Sequence, residues 1–293
     1  MKTMLAGIVR LHLTSVLIVL IAAAPTHAQK RVWREGNSVH LSPSATDADM
    51  EQIASMHGVK AIRGQVGANT TGGPKISDAG LVYLRELKEL EVLSLGHAPK
   101  ITDAGLAHLA ELTELRELSF GFNRRITDAG LEHLKNLKKL QVLDLHGAPI
   151  TDIGLEHIKE LTALEDLQLG YALITDAGLA HLERFRKLKE LDLQYTKITD
   201  DGMPHLKALT NLEWLCLKNT KVGSKGLANL ENLTHLRRLF LDDTEVDDQG
   251  LVHLKGLREL KDLCLTSPKV TPDGIARLRK EMPGVDVRVN RNR

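Results

Sequence analysis

Aromatic residues make up 3% of the 293-residue chain, and cysteines number two, Cys216 and Cys264. With so few rings the core has to come from branched aliphatics, which suits thin layers repeated in register. The sequence contains no phosphate loop, no HExxH and no GxSxG, so no catalytic motif marks it as an enzyme and nothing in it calls for a cofactor. Charge is nearly balanced: taking Lys2 and Arg10 from the 39 lysines and arginines leaves 37 against 38 aspartates and glutamates in the rest of the chain, a net of −1. That is no nucleic-acid footprint. One apolar run lies near the N-terminus and none further on, and no cysteine follows it, which argues against a lipid anchor.

The apolar run is Leu13 to Ala24, preceded by Lys2 and Arg10 and followed by Thr26-His27-Ala28 before Gln29. A positive start, a short apolar core and a small-residue cleavage site read as a secretory signal peptide over residues 1–28. The expected location is secreted, periplasmic or cell-envelope. An uncleaved anchor is the alternative, although the run falls short of the roughly 20 residues that span a bilayer.

The rest of the chain is organised by repetition. ITDAGLAHLAELTELRELSF, from Ile101 to Phe120, recurs in edited form from Ile76, Ile126, Ile150, Ile174, Ile198, Val222, Val246 and Val270, at a period of 25 residues twice and 24 thereafter. Such a period predicts a solenoid. Leu106, Leu109 and Leu112 recur every three residues, as on one face of a short helix, and Leu118 and Phe120 then alternate with polar neighbours, as in a strand with one face covered. Thr102 and Asp103 read as the helix cap. Gly105 and its counterparts cost helix stability, about 1 kcal/mol relative to alanine, and point to close backbone packing.

The pattern LxxLxLxxT followed by ITDxGLxxLxxL resembles the leucine-rich repeat, in particular its short cysteine-containing type. The resemblance implies an α/β fold: a right-handed horseshoe solenoid with about nine or ten parallel strands on the concave face and short helices on the convex face. The family places Asn or Cys just past the LxL strand, where this chain has Asn123 once, Thr196, Thr220 and Thr244, and elsewhere Ala148 or Ala172, so the turn ladder is expected to be less uniform. Such repeats serve many partners, and the resemblance names none.

The flanks divide the chain further. Residues 29–44, with Trp33 among basic residues and no clear periodicity, read as an N-terminal arm. Residues 45–75 read as a degenerate capping repeat, with Met50, Ile53, Met56, Val59 and Ile62 at its apolar positions, followed by a glycine-rich loop over 64–75. Repeats fill 76–293, with 270–293 as the C-terminal cap. Pro283 ends the last helix, Val285, Val287 and Val289 alternate as a final strand, and Arg288, Arg291 and Arg293 read as charges that protect its edge.

Several constellations invite chemistry. His108, His133, His157, His181, His205 and His253 share one slot, completed by Tyr83, Asn229 and Arg277. Helices in adjacent layers sit ~8–10 Å apart, too far for ligands that must lie about 2 Å from one ion, so packing or hydrogen bonding is expected and a metal is the alternative. Cys216 and Cys264 lie two strands apart, ~10 Å by strand spacing, and are expected to be free thiols. The TD pairs could suggest calcium, although one carboxylate per helix start is what caps require. Asn69 and Asn232 open glycosylation triplets.

The residues flanking the inward leucines should line the open face of the sheet in columns. They place Asp144, Asp166, Glu190 and Asp192 as an acidic middle beside Trp214 and Phe240, with Lys218 and Arg238 nearby. In a chain so poor in rings, Trp214 and Phe240 on adjacent strands suggest a contact anchor, mutual packing being the alternative. The expected function is an exported, non-catalytic scaffold that binds a protein, one with a basic surface, through the strand face. A structural solenoid without a discrete ligand, or an enzyme or enzyme subunit, are the alternatives.

Overall fold

A computed structural model describes residues 31–64 and 72–289. Each turn of the chain contributes one short strand, and among the described residues these form a single sheet in strict sequence order. The strands are β1 (Val32–Glu35), β2 (Ser38–Leu41), β3 (Ala61–Gly64), β4 (Val92–Ser94), β5 (Glu117–Ser119), β6 (Val142–Asp144), β7 (Asp166–Gln168), β8 (Glu190–Asp192), β9 (Trp214–Cys216), β10 (Arg238–Phe240), β11 (Asp262–Cys264) and β12 (Asp286–Arg288). From β2 to β12 every pairing is parallel, in a register that sets each leucine against its counterpart, as Leu143 against Leu167 and Leu167 against Leu191. Short helices return the chain from each strand to the next.

The count of twelve exceeds the expected nine or ten because residues 32–41, which lack any repeat pattern, form a hairpin. β1 pairs antiparallel with β2, which continues the parallel sheet onto β3. Val39 and Leu41 are fully buried at that end, and Trp33 stacks on His40 with ring centroids 5.3 Å apart. The antiparallel strand thus closes the apolar layer of the first turn. Behind it the helix Asp47–Ala54 buries Met50 and Ile53, and Val59 and Ile62 complete the layer. At the other end the helix Pro272–Glu281 is followed by β12, with Val287 turned inward. Arg288 in that edge strand bonds Asp262 and Asp286, both at 2.8 Å. The leader, Asn69 and most of the glycine-rich loop, Arg291 and Arg293 lie outside the described residues. Asn232 is exposed.

The helical segments show why leucine recurs every third residue. An α-turn, Asp103–Leu106, runs directly into a 3-10 turn, Ala107–Leu109. Three residues per turn brings positions i and i+3 onto one line, so Leu106, Leu109 and Leu112 are all fully buried. The layers share one continuous core of these leucines, closed on the strand side by pairs such as Leu167 and Leu169.

The recurring TD step does more than cap. Thr102 Oγ1 does accept from Ala104 N at 3.3 Å. The aspartate, however, reaches the following turn: Asp78 accepts from Thr102 N at 2.8 Å and Thr102 Oγ1 at 2.7 Å, and Asp103 binds Thr127 in the same way, both distances 2.7 Å. The same pair of bonds joins Asp128 to Thr151, Asp152 to Thr175 and Asp176 to Thr199. This ladder also accounts for the glycines: a Cβ on Gly130 would lie 2.5 Å from Asp103 Oδ1. Close approach of the previous turn's carboxylate excludes a side chain there. The ladder inverts once. Where Ser224 replaces the aspartate and Asp247 the threonine, Ser224 Oγ donates to Asp247 Oδ1 at 2.5 Å, so donor and acceptor exchange turns and the contact survives.

The turn past each strand is mixed, as its sequence implied. Asn123, fully buried, accepts from Ala98 N at 2.6 Å and donates to Leu95 O at 3.0 Å, linking two turns. Thr196, Thr220 and Thr244 donate instead to a carbonyl three residues back in their own turn.

Candidate functional site

Parallel register places the outward side chains of β4–β11 in columns across the strand face. Trp214 and Phe240 meet there with ring centroids 5.3 Å apart and planes at 49°. Each is half-buried, so they pack on one another and still present part of their surface. Arg238 is exposed and approaches Glu190 at 3.9 Å, and Lys218 is half-buried.

The acidic middle differs from its expected form. Asp192, read as lying open on this face, is 2% exposed. It accepts from the backbone N and the side-chain Nε2 of Gln194, both at 2.9 Å, and from His146 Nδ1 at 3.2 Å. Gly170 makes this possible, because a Cβ there would sit 2.6 Å from His146 Nδ1 and 2.7 Å from Asp192 Oδ2. Asp144 accepts from Ser119 Oγ at 2.7 Å and His146 N at 3.0 Å. Asp166 accepts from Gln168 at 2.5 Å, and burial pushes its carboxyl above the usual range despite that bond. These carboxylates are met within the sheet and do not stand as a free negative field.

What the column reading stopped one position short of is the row at the strand ends. His97, Phe122, Tyr171, Tyr195, Asn219 and Asp243 occupy equivalent places with φ between 54° and 64°, and Gly147 holds the same place at 76°. The left-handed backbone turns each chain sharply off the strand while its amide still reaches the next turn, as Tyr171 N to Gln194 O and Tyr195 N to Lys218 O, both 2.8 Å. Glycine, asparagine and aspartate suit that conformation; phenylalanine and tyrosine do not, and each stores strain of order 1–3 kcal/mol. Of four phenylalanines, three tyrosines and two tryptophans in the chain, three stand in this row. Reading one more column would have found them.

The rings stack along the row. His97 lies on Phe122 at 4.5 Å and 23°, and Tyr171 on Tyr195 at 4.3 Å and 8°. Between the two pairs, where Gly147 supplies no side chain, His146 leans in at 4.8 Å from Phe122 and 5.2 Å from Tyr171. The result is a notch of about 550 Å³ lined by Phe122, Arg124, His146, Gly147, Tyr171 and Gln194. Phe122 and Tyr171 remain 44% and 48% exposed, with Leu173 and Tyr195 beside them at 43% and 36%.

On the helix side two members of the histidine column bond to glutamates of the preceding turn, His205 to Glu183 at 2.6 Å and His253 to Glu231 at 2.5 Å. His108 Nδ1 is buried without a partner, and burial lowers its pKa. Among the described residues no three His, Cys, Asp or Glu side chains gather as metal ligands, and both cysteines are free. Burial pushes the Cys216 thiol up to about 12, far from a nucleophile's range. No helix among the described residues is long and apolar enough to cross a membrane.

Comparison with known proteins agrees with this architecture. Residues 113–157 match a two-copy family model of leucine-rich repeats, and residues 186–203 match a single-repeat model. An internalin C2 of Listeria monocytogenes is similar in structure, with a TM-score of 0.52 and 24% identity over 73% of this chain and 84% of that one. A second internalin of that organism has 20% identity and a TM-score of 0.46, over 88% of this chain and 87% of its own. No curated protein gives a significant match in sequence. Matched repeats over residues 113–157 and 186–203, a strand per turn and an open parallel sheet backed by short helices show a leucine-rich-repeat solenoid with units of 24 and 25 residues.

Proposed function

We propose that this chain is an exported, non-catalytic scaffold that recognises a protein partner through its strand face. The observation that carries the reading is the run of partly exposed rings on that face, Phe122, Tyr171 and Tyr195 at the strand ends with Trp214 and Phe240 further along. Large rings held on a rigid sheet lose little freedom on binding and serve as anchors. The strained backbone under Phe122, Tyr171 and Tyr195 supports a role beyond stability, since glycine or asparagine would serve the turn at lower cost. The side chains of Asp144, Asp166, Glu190, Lys218 and Arg238 form the polar surround of that face. Export rests on the leader-like first 28 residues, and intact mass after secretion should give a chain starting at Gln29.

The test is site-specific photo-crosslinking in the exporting host. A photo-reactive residue at 171 or 214 should capture one partner, and the same residue at 132 on the helix side should not. Trp214→Ala and Tyr171→Ala should weaken that capture while Glu132→Lys leaves it intact. Loss of capture with Glu132→Lys, and silence of both strand-face changes, would place the site on the opposite surface.

A further inference from the structure

Four of the seven exposed large hydrophobic side chains among the described residues, Phe122, Tyr171, Leu173 and Tyr195, sit on one edge of the strand face. Three features of this edge select the charge of what covers it. Stacking covers one face of each ring in the pairs Tyr171 with Tyr195 and Phe122 with His97, while His146 meets Phe122 at a tilt and Tyr171 in an edge geometry in the notch. With those faces covered, ring edges are among the surfaces the row exposes. The edge of an aromatic ring is its positive part, whereas a cation seeks the face, so the row suits carboxylates and carbonyls better than lysine or arginine.

The flanking charge has the same sign. Arg124 lines the notch in the turn of Phe122, Arg125 follows it, Lys197 lies in the turn of Tyr195 and Lys218 in the next. Arg124, Arg125 and Lys197 are exposed, and none of the four side chains makes an ion pair or hydrogen bond among the described residues. Leu173 and Lys197 hold equivalent places in adjacent turns, tied by Leu173 N to Ile150 O and Lys197 N to Ile174 O. The carboxylates of Asp144 and Asp192 on the same face are occupied by Ser119, His146 and Gln194, and Asp242 and Asp243 stand in the turn after Lys218. Elsewhere on the face three acids have basic neighbours, Glu117 with Arg63, Glu190 with Arg238 and Asp262 with Arg288. Arg124, Arg125 and Lys197 thus leave positive charge without an ion-pair partner among the described residues beside the exposed rings.

Resting on the strand-face reading above, we infer that this edge docks an extended acidic segment of the partner protein, with an apolar side chain in the Gly147 notch and carboxylates toward Arg124 and Lys197. The row from Phe122 to Tyr195 spans three strand spacings, about 14 Å, the length of about four extended residues. Apolar contact supplies the anchor, and the cations at either end set the preference for charge.

The test uses the full mature chain and blocked twelve-residue peptide sets of equal apolar content, with Asp and Glu, Lys and Arg, or Ser and Asn at the remaining positions. Dextran sulfate serves as a polyanion without apolar groups. Fluorescence anisotropy should show the acidic set bound at least tenfold more tightly than the other two, weakening severalfold between 50 and 200 mM salt as ~10 Å screening lengths shorten. Arg124→Glu combined with Lys197→Glu should lower that affinity by about tenfold or more, as should Tyr171→Ala, with the circular-dichroism melt unchanged in the charge variant. Equal or tighter binding of the basic or neutral set, binding of dextran sulfate in place of the peptides, indifference to the charge variant, or no binding of any set below 1 mM would overturn the inference. Peptide binding that is lost with Trp214→Ala and kept with the charge variant would overturn it too, while leaving the strand-face reading in place.

Discussion

Gly130→Ala tests the proposed inter-turn ladder at one atom. In an ordinary helix this change would stabilise by about 1 kcal/mol through propensity. Here the new Cβ would stand 2.5 Å from Asp103 Oδ1, with Leu106 Cδ2 next at 3.1 Å. The leucine methyl can turn aside, but the carboxylate can move only by leaving Thr127 N and Thr127 Oγ1, each 2.7 Å away. Hydrogen bonds to a charged group contribute about 1.5–3 kcal/mol each, and the carboxylate is half-buried, so water recovers part of what is lost. After the propensity gain is set against it, net destabilisation of about 2–3 kcal/mol is expected, with the wrong sign for a helix glycine. Urea unfolding followed by circular dichroism measures this. The decisive comparison is the double-mutant cycle with Asp103→Ala, where removing the carboxylate should turn Gly130→Ala from destabilising to neutral or mildly stabilising. A Gly130→Ala protein as stable as the parent, or a cost that persists in the Asp103→Ala background, would refute the account of these glycines.

Three further outcomes follow from particular contacts. Ser224→Asp sets a carboxylate against Asp247 and should cost about 1–3 kcal/mol, while adding Asp247→Thr rebuilds the regular pair and should restore the thermal midpoint; a neutral single variant would contradict the inverted bond. Cys216, with its thiol pushed up to about 12, should resist iodoacetamide in the folded protein at pH 8 while half-exposed Cys264 reacts, and both should react after denaturation without reductant; equal labelling of the two by mass spectrometry would refute it. Burial raises the Asp166 carboxyl above its ordinary 3.8, so the folded chain holds that proton more tightly than the unfolded one. Its contribution to stability is therefore lost as pH rises from about that value through the raised one. Asp166→Asn should match the parent at pH 3 and exceed it in stability at pH 7, and an Asn variant no more stable at pH 7 would contradict this.

The fold was legible in the sequence because a solenoid is specified locally, turn by turn. Leucine every third residue, the LxL alternation and the 24–25-residue period each describe one turn, and stacking copies settles the rest, as it does for repeats in general. The N-terminal hairpin was not legible because it occurs once: Val39 and Leu41 are buried by the layer behind them, and nothing in residues 29–44 repeats to announce it. The site was half legible. Periodicity put Trp214 and Phe240 on one face, but the row of Phe122, Tyr171 and Tyr195 stands where the strand has already ended and alternation no longer predicts direction.

By itself, then, the sequence determined the repeating layer, the leucine core and the parallel sheet, since these follow from spacing within a turn. Tertiary structure decided everything that depends on what the adjacent turn offers. Asp192 looks outward by alternation, yet Gln194 and His146 from its own and a distant turn cover it. Asp103 looks like a cap, yet its main partners are in Thr127, one turn away. Tyr171 became part of an exposed ring row because left-handed backbone at the strand end turns it toward Tyr195, and Gly147 became a notch only because Phe122 and Tyr171 stand on either side. Spacing along the chain fixes which way a side chain sets out; the neighbouring turn fixes whether it ends in water, in a hydrogen bond or against another ring.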